Sequence, residues 1–267
     1  MYYLLLIIFA LLPSSIWLFF FLRKDAHPES NQMILLVFFY GMLAIIPAAI
    51  IQLGFLEITE KLTYSPFLIL ILNIFIGVAL IEEFSKYLVV KASALRSPEL
   101  DEPLDVMLYV VIAALGFAAV ENILYLFRID LFPPLDIVSP VFFTNIIHSF
   151  SAVLGYTFSE KVFYAIFLTN IIRFIGAVFG HALWSGTLGY FLALSFHEPK
   201  QRVKLLILGF ALVISLHAAF NYAIMQITET GNSAWFLLIL GTLIGLAIFV
   251  TLGFKRLKKM KSICKIK

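Results

Sequence analysis

Residues 66–86 read PFLILILNIFIGVALIEEFSK, an apolar run that ends in a pair of glutamates and a lysine. A helix that crosses the ~30 Å hydrocarbon core needs about 20 such residues, and it satisfies its own backbone hydrogen bonds there. The run is continuous rather than alternating, which is not the pattern of a transmembrane β-strand. We therefore predict a spanning helix over residues 66–91 that carries Glu82, Glu83 and Lys86.

The rest of the chain has the same character, since 62% of its 267 residues are hydrophobic and 13% are charged. Soluble proteins average about 25% charged residues, so a water-soluble fold is excluded. Charges, prolines and glycines divide the chain into eight candidate spans. They are residues 2–22, 32–54, 66–91, 104–127, 138–158, 162–195, 202–226 and 233–254. We predict an all-α, polytopic transmembrane helix bundle that forms a single membrane-embedded domain over residues 1–267, with its motifs within about 66–226.

Eight spans place both chain termini on the same side of the membrane. The short flanks on that side hold five basic residues (Lys61, Arg128, Lys200, Arg202 and Lys204), and the basic tail at residues 255–267 adds seven more. The opposite side holds Arg23, Lys24, Lys91, Arg96 and Lys161. By the positive-inside rule, we predict a multi-pass protein of the cell membrane with both termini in the cytoplasm. The lipid bilayer is its expected partner, and nucleic acid is not.

Ionisable side chains at membrane depth are the strongest functional signal in the sequence. They are Glu82, Glu83, Lys86, Glu121, His148, Arg173, His181 and His217. Inserting such a group at mid-bilayer costs at least ~2.5–3.5 kcal/mol, so these groups face the bundle interior and are functional by default. A structural alternative stays open, in which they form salt bridges that fix helix register, for example Glu82 with Lys86 and Glu121 with Arg173.

These ionisable residues form four clusters along the sequence, and two of the clusters contain glutamate. Glu82 and Lys86 are one helical turn apart, so we expect them to pair, while Glu83 points about 100° away. Two adjacent carboxyls in a dry site tend to share a proton, so that one acts as a base and the other as an acid. Glu121 follows small residues that permit close helix approach, and the next residue, Asn122, can orient a neighbouring carboxylate.

Two further clusters contain histidine. The sixth span carries Gly176-x-x-x-Gly180, a spacing typical of close helix contacts, followed directly by His181. This span is long for one crossing, so we expect it to tilt, or to break near one of these glycines. His217 and Asn221 share one face of the seventh span. Each histidine alone would be interpreted as a hydrogen-bonded core residue, but together with three glutamates they indicate chemistry.

The four clusters, in this order, resemble the PrsW family of intramembrane proteases, which is related to the CAAX-processing and bacteriocin-processing membrane peptidases. The matching segments are Glu82-Glu83-x-x-Lys86, Phe117-x-x-x-Glu121-Asn122, the stretch from Arg173 to His181-Ala-Leu-Trp184, and His217-x-x-x-Asn221. The resemblance covers residues 70–222. It implies an endopeptidase that cleaves membrane-anchored proteins, and the family's substrate class is a single-span anti-sigma factor whose cleavage starts a stress response.

The resemblance implies that Glu82, Glu83 and His181 carry the chemistry. We predict a catalytic set that also includes Glu121 and His217. The supporting residues are Lys86, Asn122, Arg173 and Asn221. In this hypothesis a glutamate takes a proton from the attacking water, while imidazole and amide groups face the carbonyl oxygen as it gains negative charge. The role of His148, in the fifth span, stays undetermined.

Competing functions leave different signatures. No Gly-x-Ser-Gly, His-Glu-x-x-His or Gly-x-Gly-Asp motif occurs, so serine, standard zinc and aspartyl intramembrane proteases lose support. We expect no cofactor; a zinc variant remains open, and its ligands would be Glu83, Glu121, His181 and His217. A proton- or cation-coupled transporter also places such residues in its spans. A non-catalytic membrane signalling or immunity protein is a third interpretation.

Overall fold

The apolar stretches form long helices, because a backbone in hydrocarbon must satisfy its hydrogen bonds within its own segment. The computed structural model describes residues 2–25, 27–131 and 160–260. The α-helices of these residues are α1 (Tyr2–Leu22), α2 (Asn31–Glu60), α3 (Pro66–Leu72), α4 (Ile81–Ala92), α5 (Pro103–Leu131), α6 (Glu160–Arg173), α7 (Phe179–His197), α8 (Arg202–Thr230) and α9 (Trp235–Leu257). Short 3-10 turns at Ala94–Arg96 and Pro199–Gln201 lie between α4 and α5 and between α7 and α8.

Seven helical segments in the described part of the chain are long and apolar enough to cross a membrane. They are Tyr3–Leu22, Asn31–Glu60, Pro66–Arg96, Pro103–Phe127, Ala165–His197, Pro199–Thr230 and Trp235–Leu257. Each coincides with a predicted span, and the predicted bundle of membrane-spanning helices is confirmed. The remaining predicted span, 138–158, which contains His148, lies outside the described residues.

Two of these segments contain a π-helical turn. Asn73–Leu80 joins α3 to α4, and Phe174–Val178 joins α6 to α7. A π turn accommodates an extra residue without ending the helix, and such turns are frequent at functional sites. The second one spans Gly176, one of the two glycines near which the sequence predicts a break. The helix changes its winding there and continues.

Helix α5 occupies the centre of the bundle. In the apolar window of its span 94% of the residues are buried, against 28% in the spans of α1, α2, α8 and α9. The surrounding helices expose large apolar side chains such as Leu35, Ile50 and Ile207. Apolar side chains on the outside suit a protein whose neighbours are lipid tails. Consequently α5 carries Glu121 and Asn122 into the interior, where other helices can reach them.

Helices α2 and α5 cross closely at two glycines. A Cβ atom on Gly116 would overlap the carbonyl oxygen of Phe38, and one on Gly41 would overlap the carbonyl oxygen of Ala113. Small residues allow backbones to approach in this way, which improves helix packing where no water is available to drive association. The crossing therefore holds α2 directly against the buried helix.

Local capping fixes where several helices begin and end. The hydroxyl of Ser30 accepts a hydrogen bond from the backbone N–H of Met33, and that of Ser65 accepts one from Leu68. These bonds satisfy N–H groups that have no partner within the helix. Helix α8 ends at Gly231, whose φ of 65° is left-handed and is adopted by glycine without steric cost.

Candidate active site

Helices α4, α5, α7 and α8 bring five acidic and imidazole side chains together inside the bundle. They are Glu82 and Glu83 of α4, Glu121 of α5, His181 of α7 and His217 of α8. Glu83 is 0% exposed, and the two histidines are each 2% exposed. The α4 and α7 groups follow the two π turns by a few residues. Ionisable groups from four distant stretches of sequence thus share one cluster, which is buried except at Glu121, whose side chain is 21% exposed.

Lys86 lies between the carboxylates and the imidazoles. Its Nζ is 2.8 Å from Oε1 of Glu83, 2.8 Å from Nδ1 of His181 and 3.6 Å from Oε2 of Glu82. The sequence predicts Glu82 as the partner, but Glu83 is closer. The reason is that the lysine reaches toward α7 to meet His181, and Glu83 lies on that side of α4.

Glu83 fixes the ring of His217. Its Oε1 is 3.1 Å from Nδ1 of His217, and its Oε2 accepts a hydrogen bond of 2.9 Å from the hydroxyl of Ser185. If Nδ1 carries the proton that Glu83 accepts, Nε2 is left as an acceptor, and it faces Oε2 of Glu82 at 3.9 Å. The indole of Trp184 stacks on the imidazole with ring centroids 4.3 Å apart. The imidazole is therefore held by its edge and by its face.

Glu121 fixes the ring of His181 in the same manner. Its Oε2 is 2.6 Å from Nε2 of His181 and 3.3 Å from a terminal nitrogen of Arg173. When the Nε2–H of His181 donates a hydrogen bond to Glu121, Nδ1 carries no proton and accepts a hydrogen bond from Lys86. A carboxylate on one nitrogen of an imidazole selects the tautomer and raises the basicity of the other nitrogen. Each histidine thus presents one lone pair toward the centre of the cluster.

Asn122 holds Arg173 directly and a carboxylate only indirectly. Its Oδ1 accepts a hydrogen bond of 2.7 Å from Nε of Arg173, and its Nδ2 donates to the carbonyl of Ala10 and to Oδ1 of Asn170, each at 2.7 Å. The sequence predicts that Asn122 orients a neighbouring carboxylate. In the structure that effect passes through Arg173, which pairs with Glu121.

Glu82 has one oxygen that no described residue satisfies. Gln52 of α2 donates from Nε2 to Oε1 of Glu82 at 3.2 Å, whereas Oε2 is buried and accepts no hydrogen bond within the described residues. Leaving a buried carboxylate oxygen unpaired is costly. This oxygen is therefore suited to accept a proton or to bind a water molecule or a cation.

Glu82, His181 and His217 form a group that can hold a metal ion, because one ligand atom from each lies within 4.8 Å of the others. Two imidazoles and a carboxylate are a donor set of catalytic zinc, which keeps its fourth position for water. The predicted ligand set shares both histidines with this group but contains Glu83 and Glu121. In the structure Glu83 contacts Nδ1 of His217 and Glu121 contacts Nε2 of His181. The carboxylate of the group that can hold a metal ion is that of Glu82.

Two predicted details of packing differ in the structure. Asn221 is partly exposed, and no hydrogen bond in the described part of the chain joins its side chain to the cluster. The sequence predicts that Gly180 lets a partner helix approach. A Cβ atom there would instead lie 2.7 Å from the indole of Trp184 in the same helix. The glycine therefore makes room for the ring that stacks on His217.

Four residues of the cluster were not predicted from the sequence. They are Gln52, Asn170, Trp184 and Ser185. For three of them, the position in the sequence is a signal that could have identified them. Gln52 is the one amide within the apolar stretch 33–56, Ser185 lies one turn after His181, and Asn170 lies one turn before Arg173.

Comparisons with known proteins point to a single family. A family model described as PrsW family intramembrane metalloprotease matches residues 29–136 and 140–253. A curated relative from Oceanobacillus iheyensis, named Protease PrsW, is 28% identical over 210 residues, which are 79% of this chain and 78% of the relative. The Protease PrsW of Bacillus subtilis is 25% identical over 246 residues, 92% of this chain and 90% of the relative.

A third similarity is higher but more local. The Protease PrsW of Geobacillus kaustophilus is 35% identical over 108 residues, which are 40% of this chain and 45% of that protein. No solved structure matches the chain. The residues matched by the family model include those of the buried cluster.

Proposed function

Because the chain belongs to the PrsW family of intramembrane proteases, we propose that it hydrolyses a peptide bond of a membrane-anchored protein at the buried cluster of Glu82, His181 and His217. The observation that carries this proposal is the convergence of three helices on Oε2 of Glu82, a carboxylate oxygen that accepts no hydrogen bond within the described residues. Burial excludes bulk water from the site, which strengthens each electrostatic interaction within it.

In the proposed reaction Glu82 is the general base. Its Oε2 takes a proton from a water molecule as the oxygen of that water attacks the peptide carbonyl carbon. The protonated carboxyl then gives this proton to the leaving amine. A well-placed general base contributes roughly 10²–10⁴-fold to the rate. Glu83 is less suited to this role, because Lys86, His217 and Ser185 already occupy its oxygens.

Positive charge for the transition state comes from Lys86. Its ammonium group lies 3.6 Å from Oε2 of Glu82, so it is next to the place where the attacking water is proposed to bind. A fixed charge in a dry site stabilises the negative charge that develops on the carbonyl oxygen, and removing one such donor costs about 10²–10³-fold in rate. The two glutamate–imidazole pairs keep the histidines in place during the reaction.

A zinc-dependent form of the same reaction is the second candidate. The donor set of Glu82, His181 and His217 favours it, as does the description of the family as metalloproteases. A zinc ion held there would supply a Lewis acid that acidifies water and polarises the carbonyl. The ammonium of Lys86 lies 2.8 Å from Nδ1 of His181, which would be a metal ligand. Its positive charge disfavours the binding of a second cation there. We therefore place the glutamate-activated form first.

The proposed substrate is a single-span membrane protein of the anti-sigma factor class, which the resemblance to PrsW proteases implies. We further propose that both termini lie in the cytoplasm, on the count of flanking basic residues. A fluorescent protein fused to the C-terminus tests this orientation, because it fluoresces when it folds in the cytoplasm and would stay dark if the tail were exported.

The proposed activity is tested by co-expression with a tagged single-span reporter. The wild-type chain should cleave the reporter, and Glu82→Gln should reduce cleavage by at least about 10²-fold. The matched control is Glu198→Gln, the same change at an exposed residue between α7 and α8, and it should cleave like the wild type. Full activity of Glu82→Gln would reject the assignment, and ion flux without proteolysis would favour a transporter.

The same assay on purified protein separates the two candidate forms. After exhaustive chelation the wild-type protein should retain its cleavage rate if Glu82 acts without metal. Loss of cleavage that added zinc restores would instead assign the zinc-dependent form.

A further inference from the structure

We propose that Gln52 of α2 is a positioning residue for Glu82, an inference that rests on the function proposed above. Its side-chain amide donates the hydrogen bond that Oε1 of Glu82 accepts, with an Nε2–Oε1 distance of 3.2 Å. Within the described residues, the Glu82 carboxylate accepts no other hydrogen bond. By occupying Oε1, the amide determines that Oε2 is the oxygen that faces the cluster.

The orientation of Glu82 needs such a donor because its other neighbours in the described part of the chain do not supply one. Lys86 is nearer to Glu83 and His181 than to Glu82, and Nε2 of His217 is 3.9 Å from Oε2. A carboxylate held only by these longer contacts could rotate about its final bond. A catalytic base must lie within hydrogen-bond reach of the proton it removes, so rotation would reduce its effectiveness.

The surroundings on the α2 side offer little else that could replace the amide. A groove of about 750 Å³ lies between α2 and α4, and Ile51 and Ile81, the residues directly before Gln52 and Glu82, are among its lining residues. The lining contributes two side-chain hydroxyls, those of Tyr40 and Ser85, and the hydroxyl of Ser85 already donates to the carbonyl of Ile81. Gln52 is therefore the donor that α2 presents to Glu82.

The position of Gln52 also argues against a role in lipid contact. An amide is unfavourable in hydrocarbon unless it forms a hydrogen bond, and residues 33–56 otherwise contain no amide or charged side chain. The close crossing at Gly41 and Gly116 holds α2 in the bundle, which keeps the amide within reach of α4. The helix thus contributes one polar group to the site, and that group meets the proposed base.

The test measures cleavage of a single-span reporter by purified full-length variants in lipid vesicles. Gln52→Met keeps a side chain of similar length and removes the donor, and we expect kcat to fall about 10–100-fold while KM changes little, as for a misplaced catalytic group. The matched control is Gln32→Met, since Gln32 is exposed at the start of the same helix. This control should keep the wild-type kcat.

A second variant separates positioning from folding. Gln52→His restores an N–H donor, so it should recover part of the lost kcat, whereas a merely structural defect would not respond to the return of a donor. Gln52→Met should have a somewhat lower melting temperature, because it leaves Oε1 of Glu82 without its hydrogen bond, and it should remain folded at the temperature of the assay. Wild-type kcat in Gln52→Met, or no recovery in Gln52→His when that variant is folded, would overturn the role of Gln52.

Failure of this inference can be told apart from failure of the proposed function. If Glu82→Gln abolishes cleavage while Gln52→Met does not alter it, only the positioning role is wrong. If Glu82→Gln itself cleaves the reporter at the wild-type rate, the proposed function fails first.

Discussion

Two glutamates in the cluster bind imidazoles, and their neighbour Glu82 has an oxygen that accepts no hydrogen bond within the described residues. Glu83 and Glu121 each accept a hydrogen bond from one histidine, at 3.1 Å and 2.6 Å. In both cases the remaining imidazole nitrogen points into the cluster. Three residues of the same chemical type therefore have two kinds of role, and the hydrogen-bond partners of each decide which one it takes.

This division of roles gives a prediction for Glu121. Glu121→Gln retains an oxygen that can accept from His181 but loses the charge that pairs with Arg173. We expect the cleavage rate to fall by about 10–100-fold, as is typical when the orienting partner of a functional histidine is replaced. Steady-state kinetics on a single-span reporter measure the effect. Glu198→Gln serves again as the control, and a rate equal to that of the wild type would exclude the orienting role.

The identity of the ionisable residues at the site could be predicted from the sequence, because each lies inside an apolar span where charge is costly. Their pairing could not. Helical spacing assigns Lys86 to Glu82, whereas the position of His181 in another helix draws the lysine toward Glu83. Partners such as Gln52 and Ser185 were missed because their polarity is modest, and their importance depends on which helix faces them.

At the scale of helices, the existence of the seven described spans followed from hydrophobic length, whereas α2 and α8 continue past their predicted ends at residues 54 and 226 to Glu60 and Thr230. The central place of α5 had a partial signal in its small residues, which permit neighbouring helices to approach. The two π turns had no clear sequence signal beyond the length of the sixth span. They change which residues of α4 and α7 face inward, and so the contacts of Glu83 and His181 required the structure.

The crossing of α2 and α5 predicts that alanine destabilises the protein at Gly116 but not at a glycine outside the crossing. Gly116→Ala places a methyl group against the backbone of Phe38, and overpacking of this kind destabilises by about 1–3 kcal/mol. Gly245→Ala in α9 is the matched control, because no atom lies within 4 Å of the added Cβ. Alanine there should be neutral or stabilise the helix by about 0.5–1 kcal/mol.

Thermal unfolding in detergent compares the two glycine variants. We expect a lower melting temperature for Gly116→Ala, together with reduced cleavage, because α2 also carries Gln52 to the site. The Gly245→Ala variant should keep the wild-type cleavage rate and have a melting temperature equal to or slightly above that of the wild type. If the two variants unfold at the same temperature, the close crossing does not contribute to stability as the structure indicates.

At the scale of the whole molecule, the bundle is a scaffold that assembles the proposed hydrolytic site from separate spans. α4 supplies the proposed base, α7 and α8 supply the imidazoles, and α5 supplies the carboxylate behind one of them. The apolar exterior keeps the assembly in the bilayer, where a membrane-anchored substrate can approach it. No single span contains a complete set of the groups that the proposed reaction needs.

The most direct test of this account asks whether Glu82, His181 and His217 work as one unit. Single-turnover cleavage rates would be measured for Glu82→Gln, His181→Gln, His217→Gln and the triple variant, each checked for folding by thermal unfolding. Groups that act together are strongly non-additive, so each single variant should lose nearly as much activity as the triple variant. If the three losses were small and multiplied to give the triple effect, the residues would act independently and the shared site would be contradicted.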